Sequence, residues 1–373
     1  MLYLDNAATC MRKPLCVYKS LFYNTLFNSA NAGRGSHAPS LRALNGVMEA
    51  QETIARLFNI DNPMNIAFTQ NATYALNMAI LGPVGGGGPV VVTAMDPNSV
   101  LRPVFSLGDY SVVEADEYGY VKPSDVEKAV RENTRLIVCT HASNVCGTIE
   151  PIVSIGKIAK RHNALFLIDA AQTAGCVSID AKKTGADFIA FSGHKGLMGP
   201  LGTGGLYVRD ENTLSPVITG GTGSQSESMR HPTFMPDMLH PGTVNAPAVT
   251  ALGKAADFVA RHGVDAIGKR EREMANDFCA ELKNMNNVKV YGKYNRTGTA
   301  AFNIIGRGSE ETAEKISDII TVRAGYHCAP LAHRALHTDK TGAVRVSFGF
   351  YNTDRDVKKA VDAVWRAAKD GLG

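Results

Sequence analysis

Lys195 stands in Phe191-Ser192-Gly193-His194-Lys195-Gly196, a small-residue turn directly after the apolar run Asp187-Phe188-Ile189-Ala190. Upstream, Leu167-Ile168-Asp169-Ala170-Ala171-Gln172 is another apolar run that ends in an acid. A carboxylate and a lysine at the C-terminal ends of successive strands suit pyridoxal phosphate (PLP) chemistry. The lysine holds the aldehyde as a Schiff base, and the acid keeps the pyridine nitrogen protonated so that the ring serves as an electron sink. Ser-Gly-His-Lys alone also reads as an exposed turn after a strand; the Asp169 context favours the chemical reading.

Other segments supply what such a site needs. Gln70-Asn71-Ala72-Thr73 precedes a helical pattern, where backbone N–H groups and hydroxyls can hold a phosphate. A plain helix cap is the alternative, since Asn is a common N-cap residue. Ser192 and His194 flank the lysine and can add donors to the same anion. Asn144, in Thr140-His141-Ala142-Ser143-Asn144, and Gln172 each offer an amide to the cofactor's phenolic oxygen, or are strand-end turn residues. Cys328, in Gly325-Tyr326-His327-Cys328-Ala329-Pro330, reads either as a thiol made nucleophilic by a neighbouring imidazole and a helix start, or as inert packing. Adjacent strand residues point oppositely, so His327 need not face the thiol. Arg345, in an apolar strand pattern, needs an anionic partner. A substrate carboxylate fits its fork, and an internal Asp or Glu is the structural alternative.

These residues must be positioned by an α/β framework. Strand patterns run over Asn65–Thr69, Val90–Thr93, Val112–Glu114, Arg135–Thr140, Ala164–Asp169, Asp187–Phe191 and Gly204–Val208. Helical patterns lie between them at Ala72–Leu81, Ser124–Glu132, Ile152–Arg161 and Ala171–Gly175. The alternation predicts a mostly parallel seven-stranded sheet with helices on both faces, and functional groups beyond the carboxyl ends of its strands. Gly85-Gly86-Gly87-Gly88 lacks nucleotide-binding spacing and reads as a connector. Residues 219–247 have no helical period and read as an extended active-site or interface segment. A long helical pattern over Ala246–Met285, broken near Gly263, is followed by strands at Lys289–Tyr291, Ala300–Ile305 and Val344–Phe348, with helices at Glu310–Thr321 and Thr353–Lys369. That is a smaller α+β unit. The expected division is a large cofactor-binding domain of residues 15–250, and a small domain of 1–14 with 251–373.

Composition narrows the class. Hydrophobic residues make up 45% and charged ones 20% of 373 residues, which is ordinary for a soluble globular chain. A net charge of +4 gives no reason to expect a nucleic-acid surface. No apolar run reaches membrane-spanning length, and the start lacks the pattern of a signal peptide. Seven cysteines without a compact framework suggest reduced thiols and a cytoplasmic protein, and no metal site is expected.

On these residues, the chain resembles the fold type I PLP enzymes of the class V aminotransferase branch, most closely the type II cysteine desulfurases and selenocysteine lyases. The resemblance runs nearly end to end. It begins at Tyr3-Leu4-Asp5-Asn6-Ala7-Ala8-Thr9 and Asn31-Ala32-Gly33-Arg34-Gly35-Ser36-His37. It continues through the Asp169 and Lys195 segments to Arg323-Ala324-Gly325-Tyr326-His327-Cys328-Ala329 and Arg345–Thr353. It implies a fold type I PLP-dependent transferase, acting as a homodimer that converts L-cysteine to L-alanine. By resemblance, Lys195 carries the cofactor and acts as general acid and base, Asp169 pairs with the pyridine nitrogen, and Gln172 contacts the ring oxygen. Ala72, Thr73, Ser192 and His194 hold the phosphate, with Thr243 of Pro241-Gly242-Thr243-Val244-Asn245 reaching it from a second subunit. Asn144 and Arg345 hold the substrate carboxylate. Cys328 takes the sulfur as a persulfide, for delivery to an acceptor protein such as one serving iron–sulfur cluster assembly. The short cysteine segment suits the type II branch. One departure is that Pro97, in Met95-Asp96-Pro97-Asn98-Ser99-Val100, occupies the place where the family stacks a histidine on the ring. The alternatives are a selenocysteine lyase, a lyase, epimerase or transaminase on another small amino acid, and a PLP-binding protein with lapsed catalysis.

Overall fold

The computed structural model describes residues 1–33, 35–83, 87–293 and 295–369. Arg34, Gly85 and Gly86, which belong to segments read above, lie outside the described residues.

The chain opens with β1 (Leu2–Tyr3), α1 (Leu15–Phe27) and α2 (Ala38–Phe58). Ala43, Val47, Ala50, Ile54 and Phe58 form the buried stripe of α2. His37 Nδ1 accepts the Ser40 N–H at the start of this helix, and Asn59 ends it in a left-handed conformation. Twelve elements then build the sheet and its helical layers: β2 (Ile66–Thr69), α3 (Ala72–Leu81), β3 (Val90–Thr93), α4 (Asn98–Leu107), β4 (Tyr110–Val113), α5 (Pro123–Ala129), β5 (Leu136–Thr140), α6 (Ile152–Arg161), β6 (Leu165–Asp169), α7 (Ala181–Thr184), β7 (Phe188–Ser192) and β8 (Gly204–Val208).

The seven strands lie in the order β2-β8-β7-β6-β5-β3-β4. β7, β6, β5, β3 and β4 are parallel, while β8 runs antiparallel to both of its neighbours. Every residue of β3, β5, β7 and β8 is buried, so these strands read as continuous apolar runs rather than alternating ones. One face of the sheet packs Ile137, Ile168 and Phe191 with α2 and α6, and the other packs Val92, Leu167 and Phe188 with α3 and α4.

Beyond residue 245 come α8 (Ala246–His262), α9 (Val264–Lys283), β9 (Val288–Tyr291), β10 (Thr299–Ile304), α10 (Ser309–Ile316), β11 (Ile320–Thr321), α11 (Pro330–Ala335), β12 (Val344–Ser347) and α12 (Asp354–Lys369). Asn245 caps α8 by accepting the Ala248 N–H, and Gly263 at φ 82 ends it. A three-stranded antiparallel sheet, β12-β10-β9, forms its own core with α9 and α12 through Phe278, Phe302, Val346 and Val364. Leu4 belongs to that core, and β1 pairs with β11. On these cores we propose the two units expected from the sequence. The cut near residue 250 passes through α8, and Leu252 and Ala256 beyond it still pack in the large core because one continuous helix spans the junction.

Several local readings differ from the structure. Residues 171–175 form turns rather than a helix, and Gly175 adopts φ 99 against the backbone of Gly196. The helix expected to reach Thr321 stops at Ile316, and Ile320–Thr321 turns into the strand that pairs with β1. α1, α2 and α4 were not anticipated, although α2 carries an apolar stripe and α4 is amphipathic.

Candidate active site

Asp169 is the last residue of β6, paired in register with Ala190 of β7, and Lys195 follows the end of β7 in a tight turn. The turn closes through Met198 N–H to Lys195 O (2.8 Å) and Gly199 N–H to Gly193 O (2.7 Å). Glycine is required at position 196, since a Cβ there would meet Ala174 O at 2.6 Å. Asp169 is buried, and burial pushes its carboxyl up, opposed by the Ala171 N–H (2.9 Å to Oδ1) and by Lys195. Burial also lowers Lys195 to about 8; Asp169 opposes that shift, while Arg345 and Arg323 reinforce it. The result is an amine with an accessible neutral form near neutral pH, held beside a carboxylate.

At the start of α3, Asn71 Oδ1 accepts the Tyr74 N–H (3.2 Å), so the helix cap expected as an alternative is present. That cap leaves Ala72 and Thr73 facing the same opening. Ala72 N–H reaches Ser192 Oγ at 3.4 Å, and Thr73 Oγ1 lies 2.9 Å from Ser99 Oγ. His194 is driven down to about 4 by burial and by Lys195 and Lys13, and is therefore neutral. Its Nδ1 is buried with no partner among the described residues. Hydroxyls, an imidazole and a helix N-terminus thus converge where an anion is stabilised by backbone N–H groups and the helix dipole.

The opposite wall comes from the smaller unit. Arg345 of β12 is 2% exposed; its Nη1 donates to Asn144 O (2.9 Å) and its Nη2 to Asp5 Oδ1 (2.6 Å). The internal carboxylate foreseen as the alternative partner is therefore Asp5, and Arg345 Nε remains buried without a partner among the described residues. Cys328 is exposed on a short segment just before α11. That segment is pinned at four points: Asn144 Nδ2 to His327 O (2.6 Å), Asn98 N–H to Cys328 O (2.7 Å), His327 Nε2 to Ala343 O (3.0 Å) and Tyr326 OH to Asp339 O (2.7 Å). His327 and Cys328 both have positive φ (50 and 59), a left-handed conformation that costs about 1–3 kcal/mol for each non-glycine residue. The hydrogen bonds hold this strained turn. Burial lowers His327 to about 3, and its Nδ1 has no partner among the described residues. Such an imidazole is too weak a base to deprotonate a neighbouring thiol at neutral pH.

Ala72, Thr73, Asn144, Asp169, Gln172, Ser192, His194, Lys195, Cys328 and Arg345 all line one cleft of about 310 Å³. Gln172 Nε2 donates to Ala7 O (3.2 Å) at the cleft floor. Thr243 does not enter this cleft and lines a separate cavity of about 550 Å³ with Gln70, Tyr74 and His240. Ser99 and Arg323, which also line the cleft, and Asp5, which reaches it through Arg345, were given no role in the sequence analysis. Asp5 and Arg323 did fall within conspicuous segments; for Ser99 the only signal was a hydroxyl near a helix start. Pro97 lines the cleft ahead of α4. It is fixed by Asp96, a buried residue raised to about 7, whose carboxylate accepts N–H groups from Thr93 and Thr140 (both 2.7 Å) and so ties the ends of β3 and β5.

Asn144 Oδ1, His194 Nδ1, His327 Nδ1 and Arg345 Nε belong to residues of this cleft, and each is buried without a partner among the described residues. Buried polar atoms are normally paired, so the gathering here of the Arg345 Nε donor, the Asn144 Oδ1 acceptor and two imidazole nitrogens marks a place for a polar ligand that both accepts and donates hydrogen bonds. The residues fit PLP together with an amino acid.

The aminotransferase class-V family model matches residues 2–360. A probable cysteine desulfurase of Methanothermobacter thermautotrophicus is 36% identical, over 95% of this chain and 92% of its own length. One from Halalkalibacterium halodurans is 35% identical over 96% and 90%. Among solved structures, an apo cysteine desulfurase from Thermococcus onnurineus NA1 superposes with a TM-score of 0.92 at 31% identity, covering 99% of this chain and 95% of that one. The cysteine desulfurase CsdA of Escherichia coli, in an S-sulfonic acid form, gives 0.88 at 25% identity, over 98% and 94%.

Proposed function

The chain belongs to the aminotransferase class-V family, among the cysteine desulfurases, and on that premise we propose that it takes sulfur from L-cysteine onto Cys328 and releases L-alanine. The observation that carries the reading is the meeting, in one cleft, of Lys195 beside Asp169 with an exposed Cys328 on a pinned turn. A transaminase acting on other amino acids has no need of a strained, exposed thiol at that wall.

PLP would be held by Lys195 at its aldehyde, by Asp169 at the pyridine nitrogen and by Gln172 at the ring oxygen. Ala72, Thr73, Ser192 and His194, with Ser99 beside them, would hold its phosphate. When bound, it supplies an electron sink that stabilises negative charge at the substrate α-carbon and so weakens the Cβ–S bond. Arg345, with its free Nε, and Asn144 hold the substrate carboxylate. Lys195 Nζ, lowered to about 8, removes the α-proton and later returns a proton to carbon. Cys328 Sγ attacks the substrate sulfur; the new S–S bond forms as the Cβ–S bond breaks, leaving a persulfide on Cys328. Pro97 offers no proton at the ring face, so Lys195 is the base within reach.

A second copy of the chain completes the site on this reading. Thr243 stands outside its own chain's cleft, and α1 exposes Leu15, Phe22, Leu26 and Phe27, an apolar face of the kind that pairs in homodimers. No helix among the described residues is long and apolar enough to cross a membrane, and all seven cysteines are free, which suits a reducing cytoplasm. The test is L-cysteine with a reductant, assaying alanine and sulfide. Cys328→Ala is expected to lose more than ~100-fold in turnover; undiminished turnover would remove Cys328 from the reaction.

A further inference from the structure

Beside Cys328 lies a groove of about 530 Å³ between α4, α11 and the outermost strand β4 of the large sheet. Its floor is apolar, formed by Val92, Leu101, Val104, Val112 and Leu331, and Phe105 stands 70% exposed at its edge. Arg102 and Arg334 rim it; both are exposed, and neither makes an ion pair or a side-chain hydrogen bond among the described residues. Glu114 is the one carboxylate among the lining residues. The groove is joined to the thiol through the backbone: Asn98 N–H at the head of α4 holds Cys328 O, and α11 starts two residues after Cys328.

We propose that this groove is the docking surface for a sulfur-accepting protein, which lays an acidic, apolar-centred segment into it and carries a thiol to Cys328. The inference rests on the desulfurase reading. Two facts select the occupant. An acceptor sulfur has to come within bonding distance of the Cys328 sulfur, roughly 2 Å, so the acceptor's footprint includes the surface that borders this residue. That surface is apolar with a rim of two unpaired arginines, complementary to apolar side chains flanked by carboxylates. The outer edge of β4 also has no strand partner among the described residues. In the transfer, the acceptor thiolate attacks the terminal sulfur of the Cys328 persulfide. The S–S bond to Cys328 breaks, Cys328 leaves as a thiolate that picks up the acceptor's proton, and the acceptor now carries the persulfide. No outside oxidant or reductant is needed.

The test compares two fluorescein-labelled peptides of equal length. One carries leucines on one helical face, glutamates on the other and a single cysteine; its control has every glutamate changed to lysine. Anisotropy with the holoenzyme is expected to give on the order of tenfold tighter binding of the acidic peptide, and the Arg102→Glu/Arg334→Glu variant should abolish that preference. With the enzyme preloaded by L-cysteine, the acidic peptide should discharge the persulfide faster than the basic one in the wild type only. Discharge by dithiothreitol, which needs no docking, should be unchanged in the variant. Equal binding of the two peptides, or a preference that survives the charge reversal, overturns the proposal. So does a change in the variant's mass by light scattering, which would assign the groove to a contact between copies of the chain. Dithiothreitol-supported alanine formation reports on the desulfurase reading separately, and the anisotropy needs no turnover. Failure of one reading is therefore distinguishable from failure of the other.

Discussion

At Lys195, burial and the positive field of Arg345 and Arg323 act in the same direction, and Asp169 only partly restores the charge. An amine at about 8 is neutral in roughly one molecule in ten at pH 7, whereas an ordinary lysine near 10.4 is neutral in fewer than one in a thousand. We expect competitive acylation of the cofactor-free protein to label Lys195 with a midpoint near pH 8, well below its surface lysines; a midpoint near 10 would contradict the electrostatic argument. Arg345 tests the substrate side. Arg345→Lys keeps the charge toward Asp5 but loses the fork and the unpartnered Nε. A hydrogen bond to a charged group is worth about 1.5–3 kcal/mol, so KM for L-cysteine should rise by roughly 10- to 150-fold with a smaller effect on kcat. An unchanged KM would leave Arg345 as a purely structural partner of Asp5.

Among the elements, those that hold the chemistry are short and tightly constrained. The turn after β7 passes so close to Ala174 that Gly196→Ala must displace backbone. We expect a loss of about 1–3 kcal/mol by denaturant titration, together with weaker cofactor absorbance because Lys195 moves; an unaltered midpoint and spectrum would mean that the turn relaxes freely. The segment bearing Cys328 works differently. Its left-handed residues are held by bonds from β5's end, α4's start and the strand approach to β12, so three separate parts of the chain fix one thiol. Elements with a strong local signature were legible beforehand. β3 (Val90–Thr93), α3 (Ala72–Leu81) and α6 (Ile152–Arg161) lie where their apolar runs and periods placed them. Residues 171–175 were misread because Ala171-Gln172-Thr173-Ala174 is compatible with a helix, while the approach of Gly175 to the lysine turn requires a left-handed conformation that no right-handed helix contains.

For the whole molecule, the cleft exists only where the ends of the large sheet meet the smaller unit. Lys195, Asp169 and the phosphate donors come from one side; Arg345, His327 and Cys328 come from the other. On the proposed reading, the second copy adds Thr243. We expect Phe22→Asp with Leu26→Asp, on the exposed face of α1, to halve the mass seen by sedimentation and to lower cofactor occupancy as well. A monomeric wild type, or a variant that remains dimeric, would remove α1 from the interface.

The sequence by itself determined the α/β framework, the lysine and carboxylate at successive strand ends, the helix start that can take a phosphate, and the segment bearing Cys328. Each is written in residue types within a short stretch, where propensity, burial pattern and capping act locally. Only the tertiary structure decided that Arg345 is shared between Asp5 and a free Nε, that Ser99 and Arg323 face the same cleft, and that Thr243 does not. It also decided that His327 is a neutral, buried group rather than a base for its neighbour. These outcomes depend on distances between residues hundreds of positions apart, and on how much water reaches each charge. Neither quantity is encoded in any single stretch of chain.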